Sequence, residues 1–280
     1  MRMRIGITAF LTDHAMGPGE FARAVEERGF DSMYLPEHTH LPLRESEPPS
    51  LVEGVTAEDY RRSLDPLVAL AAAAQSTTRI RLGTGVLLVA LHDPITLAKQ
   101  IATLDHLSNG RVELGVGFGW NRSEAQDHGI NFSLRREIAA EKIACIQRIW
   151  AEDVPSFRGR HVHLEPCSSW PKPVQRPGPP VLVGGGANDN VFELIAACGQ
   201  GWMPIGGRGV AAALPRLRRR LVAAGRDPDS IRVVPFGTVP SKEKLEHFER
   251  AGIAEVILRV QVGPPSVMLE QLDAHMAFLG

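Results

Sequence analysis

Short apolar runs alternate along the chain with longer segments whose apolar positions recur three and four residues apart. The runs fall at 4–10, 32–38, 80–88, 112–118, 180–184, 201–205, 232–238 and 254–260. They lack strict alternation, as strands covered on both faces do. The longer segments predict helices at 19–28, 65–77, 93–108, 134–151, 188–198, 210–224, 241–251 and 265–279. Two of these carry start signals. Asp65-Pro66 and Asp93-Pro94 each set a capping side chain before a proline at the first helical position. Leu97, Ile101 and Leu104 share one face of the third helix, and Ala139, Ile143, Ile146 and Trp150 one face of the fourth. Eight strand–helix units without a longer repeat predict a closed (β/α)8 TIM barrel forming a single domain over residues 1–280. An open doubly wound sheet is the alternative. It fits less well, because no Gly-x-Gly-x-x-Gly follows the first strand.

Two connections are longer than turns. Residues 39–62 form an extended loop after strand 2, with Leu41, Leu43, Leu51, Val52 and Val55 among charges, and read as a lid with an apolar or mixed inner wall. The proline-rich excursion 153–179 precedes strand 5, so it belongs on the outside of the barrel or at a subunit contact.

Composition narrows the function. Thirty-one basic and 32 acidic residues leave a net charge of −1, which argues against nucleic acid as a partner. The run Arg216–Arg220 reads as a solvated helix face. No apolar stretch is long enough for a membrane helix, and Met1–Ile5 runs into a strand rather than a signal peptide. Cys145, Cys167 and Cys198 are widely separated and odd in number, which speaks against a disulfide framework and for the cytoplasm.

The candidate chemistry lies at the strand ends. None of Lys99, Lys142, Lys172, Lys242 and Lys244 sits at the end of a strand, which argues against Schiff-base catalysis. His38-Thr39-His40 and His161-Val162-His163 have metal-pair spacing. Strand 1 carries no histidine, however, and no metal is expected. Glu37-His38 closes strand 2, either as a solvent-facing cap or as an acid–base pair at the barrel mouth. Gly83 and Gly85 on strand 3, with Gly115, Gly117 and Gly119 around strand 4, suggest room for something flat and large in the barrel mouth, or a tight strand–helix contact. The turn Gly184-Gly185-Gly186-Ala187-Asn188 leads into a helix and offers backbone N–H groups to a phosphate. Gly206-Gly207-Arg208-Gly209 adds a flexible loop with a cation. Together these features suggest a barrel holding a flat phosphorylated cofactor.

The run from Ala98 to Gly117, AKQIATLDHLSNGRVELGVG, resembles the signature of the bacterial luciferase-like family, which uses FMN or the deazaflavin coenzyme F420. Leu82–Val86, Pro171–Gln175, Pro179–Gly185 and Gly201–Pro204 extend the match over almost the whole chain in order. Pro36-Glu37-His38 and Gly119-Trp120-Asn121 look closest to the F420-dependent branch. The resemblance implies His38 as the active-site histidine with Glu37 as its acidic neighbour. It implies Thr84, Gly85 and Val86 as a bulge under the cofactor ring, where relatives often hold a cis peptide. Gly119, Trp120, Asn121 and Ser123 would touch the polyol chain, and Gly184, Gly185, Gly186 and Ala187 the phosphate. Relatives are mostly homodimers. Two positions depart from the pattern: Gln200 replaces a usual aspartate, and Trp120 stands where some relatives carry an acid, so their sugar-phosphate route is not supported.

Three functions compete at this stage. The first is an F420-dependent oxidoreductase acting on a small organic molecule. The second is an FMN-dependent monooxygenase, and the third a catalytically silent flavin-binding barrel. The oligoglutamate tail of F420 would favour Arg44, Arg61, Arg62 and Arg208.

Overall fold

A computed structural model describes residues 2–43 and 55–279. Residues 44–54 of the expected lid, including Arg44, Leu51 and Val52, lie outside the described residues. The elements are β1 (Arg4–Thr8), α1 (Pro18–Glu27), β2 (Ser32–Leu35), α2 (Ala57–Arg62), α3 (Pro66–Ser76), β3 (Arg81–Leu87), α4 (Pro94–Leu107), β4 (Val112–Val116), α5 (Arg122–Asp127) and α6 (Arg135–Ala151). They continue with β5 (Phe157–Arg158), β6 (His163–Leu164), β7 (Val181–Gly184), α7 (Asp189–Cys198), β8 (Gly201–Met203), α8 (Val210–Ala223), β9 (Arg232–Val233), α9 (Lys242–Arg250), β10 (Glu255–Arg259) and α10 (Pro265–His275). No helix among the described residues is long and apolar enough to cross a membrane.

Eight parallel strands run in the order β10-β1-β2-β3-β4-β7-β8-β9. The segment after β9 closes the ring: Ile257 N donates to Pro235 O at 2.8 Å and Thr238 N to Ile257 O at 2.9 Å. The expected (β/α)8 barrel is therefore present. Several strands stop earlier than the apolar runs suggest. Pro36, Pro204 and Pro235 lack the N–H that a ladder needs, and Gly237 turns the chain at φ 64°. The Asp65 and Asp93 caps form as expected, accepting from Val68 N and Thr96 N. Two short helices, α2 and α5, were not anticipated. The excursion 153–179 holds a two-residue antiparallel hairpin, β5–β6.

The N-terminal floor of the barrel is charged. Arg4, Arg81 and Arg232 converge there on the buried Glu113 and Glu255. Tyr34 donates its hydroxyl to Glu113, and Ser32 donates to Glu255 at 3.1 Å. Burial alone would push the Glu113 carboxyl up, but Arg81 and Arg232 outweigh it and hold the group below its ordinary value. Above this floor pack Tyr34, Leu182, Met203, Val234, Phe236 and Ile257, with Val86 against them. These side chains occupy the space beside the strand glycines. A Cβ on Gly83 would lie 2.2 Å from the Tyr34 ring, one on Gly85 2.2 Å from Phe236, and one on Gly117 2.2 Å from Val86. The space beside Gly83, Gly85 and Gly117 is thus taken up by side chains of β2, β3 and the segment after β9, which is neither open room at these three positions nor the expected strand–helix contact.

The long signature run is a scaffold. Asp105, fully buried at the end of α4, accepts from the backbone and side-chain N–H groups of Gln175. Arg111 donates to Ala74 O, Thr77 O and Ile80 O, closing the C-terminal end of α3. Gln200 also has a structural role: its Oε1 accepts from Val181 N at 2.9 Å and its Nε2 donates to Cys198 O. That arrangement satisfies the strand-capping half of what the missing aspartate could do.

Candidate active site

The C-terminal strand ends gather most of the expected site residues. Pro36 stops β2, and the chain leaves the sheet as Glu37-His38. The two side chains then diverge. The Glu37 side chain, 2% exposed, accepts from Leu88 N at 2.5 Å and meets His92 Nε2 at 2.7 Å. It therefore anchors the segment after β3. Burial would lower the His92 pKa, but the Glu37 carboxylate outweighs this and raises it.

His38, 6% exposed, faces the turn after β4. Its Nδ1 lies 2.9 Å from Oε2 of Glu124, whose side chain is 1% exposed. Glu124 Oε1 accepts from Thr39 N at 2.9 Å and Thr39 Oγ1 at 3.2 Å. Burial would raise the Glu124 carboxyl, but the His38 and Thr39 hydrogen bonds overcome it and hold the group ionised below its ordinary value. An ionised acceptor puts the neutral imidazole's proton on Nδ1 and leaves Nε2 as the nitrogen able to take up another. Sequence reasoning missed Glu124. Asn121 and Glu124 have the spacing of a helix cap, and Asn121 does accept from Glu124 N at 3.0 Å. The glutamate side chain, however, reaches back to residues 38–39 rather than to its own cap.

Aromatic rings surround His38. Tyr60 of α2 lies 4.8 Å away between ring centroids and Trp120 5.5 Å, and Phe10 lies 5.0 Å from Tyr60. Trp120 Nε1 and Asn121 Nδ2 are buried donors without a hydrogen-bond partner among the described residues. Ser123 is buried in the first turn of α5.

The remaining expected residues form the wall and the turn after β7. Thr84 is buried and donates to Gly115 O at 2.7 Å. The Gly85–Val86 peptide is cis, in the bulged part of β3, as the resemblance implied. Gly184 is buried against Val86, whereas Gly186 and Ala187 are exposed before α7. Gly185 has φ +135°, and Gly186 has open space where a Cβ would be. Asp189, in the first turn of α7, pairs with Arg216 at 2.9 Å. Two of the rim arginines are already paired: Arg61 with Glu58, and Arg62 with Asp13 and Glu58. They are not available to an acidic tail in the way the sequence suggested. The His-x-His pairs do not converge either. His38 and His40 lie against different acids, as do His161 and His163. Glu137, Glu141 and His161 form a separate cluster, in which Glu141 is already engaged by the N–H groups of residues 160–162.

The family model for luciferase-like monooxygenases matches residues 15–272. An uncharacterized protein of Mycobacterium tuberculosis is 41% identical over 282 residues, covering 98% of this chain and 99% of its own. An F420-dependent glucose-6-phosphate dehydrogenase of Kineococcus radiotolerans is 31% identical over 82% of this chain and 65% of its own. Among solved structures, an F420-dependent secondary alcohol dehydrogenase superposes with a TM-score of 0.77 at 18% identity, covering 99% of this chain and 98% of that one. A monooxygenase from Streptomyces bottropensis superposes with a TM-score of 0.75 at 21% identity, with the same coverage. These two share the fold. With the family model matched from the loop before α1 to α10, around a histidine at the barrel mouth, this chain belongs to the luciferase-like monooxygenase family.

Proposed function

We propose that the chain is a coenzyme F420-dependent oxidoreductase that moves a hydride between the deazaflavin and a small organic substrate. The observation that carries this reading is the 31% identity, over 82% of the chain, to an F420-dependent dehydrogenase. The site's own chemistry agrees with it. The N–H groups of Gly186 and Ala187 have no partner among the described residues and stand at the positive end of α7, suited to a phosphate. Trp120 Nε1 and Asn121 Nδ2 are buried donors that an acceptor on cofactor or substrate would satisfy. Bound deazaflavin supplies the two-electron hydride chemistry. The chain's residues supply the rest: the turn after β7 holds the phosphate, the Phe10, Tyr60 and Trp120 rings exclude water, and His38 Nε2 gives or takes the proton. Glu37 is a positioning residue. The substrate is not proposed to be a sugar phosphate, because Trp120 replaces the acid of that route. By the resemblance, the working form is a homodimer, placed in the cytoplasm by the scattered cysteines.

Equilibrium binding of F420 against FMN tests the cofactor. The expected result is much tighter binding of F420, with only modest weakening by salt because Arg61 and Arg62 are already paired. Purification with stoichiometric FMN, or oxygen consumption with reduced FMN, would replace this reading with the monooxygenase one that the family description favours.

A further inference from the structure

Three arginines without a counter-charge stand together in the connection that follows β4. Arg122 opens α5, and Arg135 and Arg136 open α6. The guanidinium carbons of Arg135 and Arg122 lie 3.6 Å and 4.6 Å from the centroid of the same Phe132 ring, and that of Arg136 lies 5.8 Å from the Phe118 centroid. Arg135 is half-buried, whereas Arg122 and Arg136 are exposed.

The acids of this stretch face elsewhere. Glu124 meets His38, Asp127 lies against His40, and Glu137 lies against Arg160 and His161. Among the described residues, none of the three arginines has an ion-pair partner. Two guanidiniums sharing one ring are held within about a Debye length, where salt does not fully screen them. Burial lowers the Arg135 pKa, and repulsion from Arg136 and Arg122 lowers it further, with no carboxylate to offset either. Cations gathered in this way attract an anion that relieves their repulsion.

The place of the cluster indicates which anion. β4 and β7 are neighbours, with Val116 opposite Val183, so the chain leaving β4 stands beside the chain leaving β7. The latter is the turn proposed above for the cofactor phosphate. Arg135 Nε donates to Gly119 O at 3.1 Å and fixes the cluster to the turn after β4. Coenzyme F420 continues beyond its phosphate as a chain of glutamates. The geometry points to Arg122, Arg135 and Arg136 as the site that takes this oligoglutamate tail, an assignment that rests on the cofactor proposed above. A guanidinium laid on a ring keeps its N–H edge free for a carboxylate. Separate cations along an open rim suit a chain of carboxylates better than one compact anion. The cluster takes the role expected of Arg61 and Arg62, whose charges are used by Glu58 and Asp13.

Equilibrium binding of two cofactor forms, one carrying several glutamates and one ending at the lactyl group, tests the assignment without turnover. Exposed ion pairs are individually weak, so the natural protein should bind the long form only about fivefold tighter, in keeping with a modest salt dependence. Arg122→Gln combined with Arg136→Gln should erase that advantage. Arg218→Gln combined with Arg219→Gln, which removes the same charge from α8, should keep it. No advantage in the natural protein, or one that survives the first pair of substitutions or is lost with the second, would overturn the assignment. An equal loss of affinity for both forms in the first pair would also overturn it, because the arginines would then serve the phosphate. If neither form binds the natural protein, the cofactor reading fails, and free oligoglutamate decides the site alone. Its addition to ¹⁵N-arginine-labelled protein should then shift the Arg122 and Arg136 side-chain N–H signals, and signals that stay in place would overturn the site.

Discussion

Replacing Glu37 with glutamine separates an anchoring role from a catalytic one. In the folded protein Glu37 accepts from Leu88 N and His92 Nε2 while its side chain is 2% exposed. Glutamine keeps an oxygen for Leu88, but its NH2 group cannot accept from His92. What is lost is one charge-assisted hydrogen bond, with a net value of about 1.5–3 kcal/mol. Unfolding entropy near 2.1 cal/mol/K per residue gives about 0.6 kcal/mol/K for a chain this long, so a loss of about 2 kcal/mol lowers Tm by about 3 °C. The effect depends on pH. Glu37 raises the His92 pKa above its ordinary 6.5, so the pair's contribution is complete below that value and fades as pH rises through the folded pKa. Thermal melts of the natural protein and Glu37→Gln should therefore differ most near pH 6 and draw together as pH rises through the folded His92 pKa, with turnover at saturating cofactor falling only a few-fold. Equal melting curves together with a drop in turnover of about a hundredfold or more would refute the argument and return Glu37 to the chemistry.

Three further perturbations probe the site and its support. His38→Asn should lower turnover by about 10²–10⁴-fold while cofactor affinity, measured separately by titration, changes little; loss of affinity alone would make His38 a binding residue only. Gly186→Val should weaken deazaflavin binding without lowering Tm, since its Cβ meets nothing; Gly185→Val is the poorer test, because φ +135° and a Val191 methyl 2.9 Å from the new Cβ strain the fold itself. Gly83→Ala should cost about 3 kcal/mol in urea denaturation, since its Cβ would sit 2.2 Å from a Tyr34 ring whose hydroxyl is held by Glu113.

The barrel was legible because its signals are local. Apolar runs and the Asp65 and Asp93 caps act over a few residues, and each is visible in the sequence as a pattern, whereas the strand ends at Pro36, Pro204 and Pro235 are passed over by the apolar runs. The signature from Ala98 to Gly117 identified the family, yet the structure shows Asp105 and Arg111 tying α4, α3 and the excursion together, far from any chemistry. His38 was legible from its place at a strand end. Glu124 was not, because its partner lies 86 positions away and its own neighbourhood looks like an ordinary helix cap. The strand glycines misled for a similar reason. A missing Cβ signals that something comes close, and only the fold shows that the neighbours are Tyr34, Phe236 and Val86.

The charged floor has a consequence for how such a chain can change. Three arginines and two glutamates stopper the barrel at the pole opposite His38, and the apolar layer with Tyr34 and Phe236 lies on that stopper. The space above it is therefore a cup open at one end, and the ion pairs that close its base are made by residues other than those around its lip. Exchanging lip residues can redirect the chemistry, or abolish it, while the cup persists. A descendant that had lost His38 would still fold, and would still be read as kin.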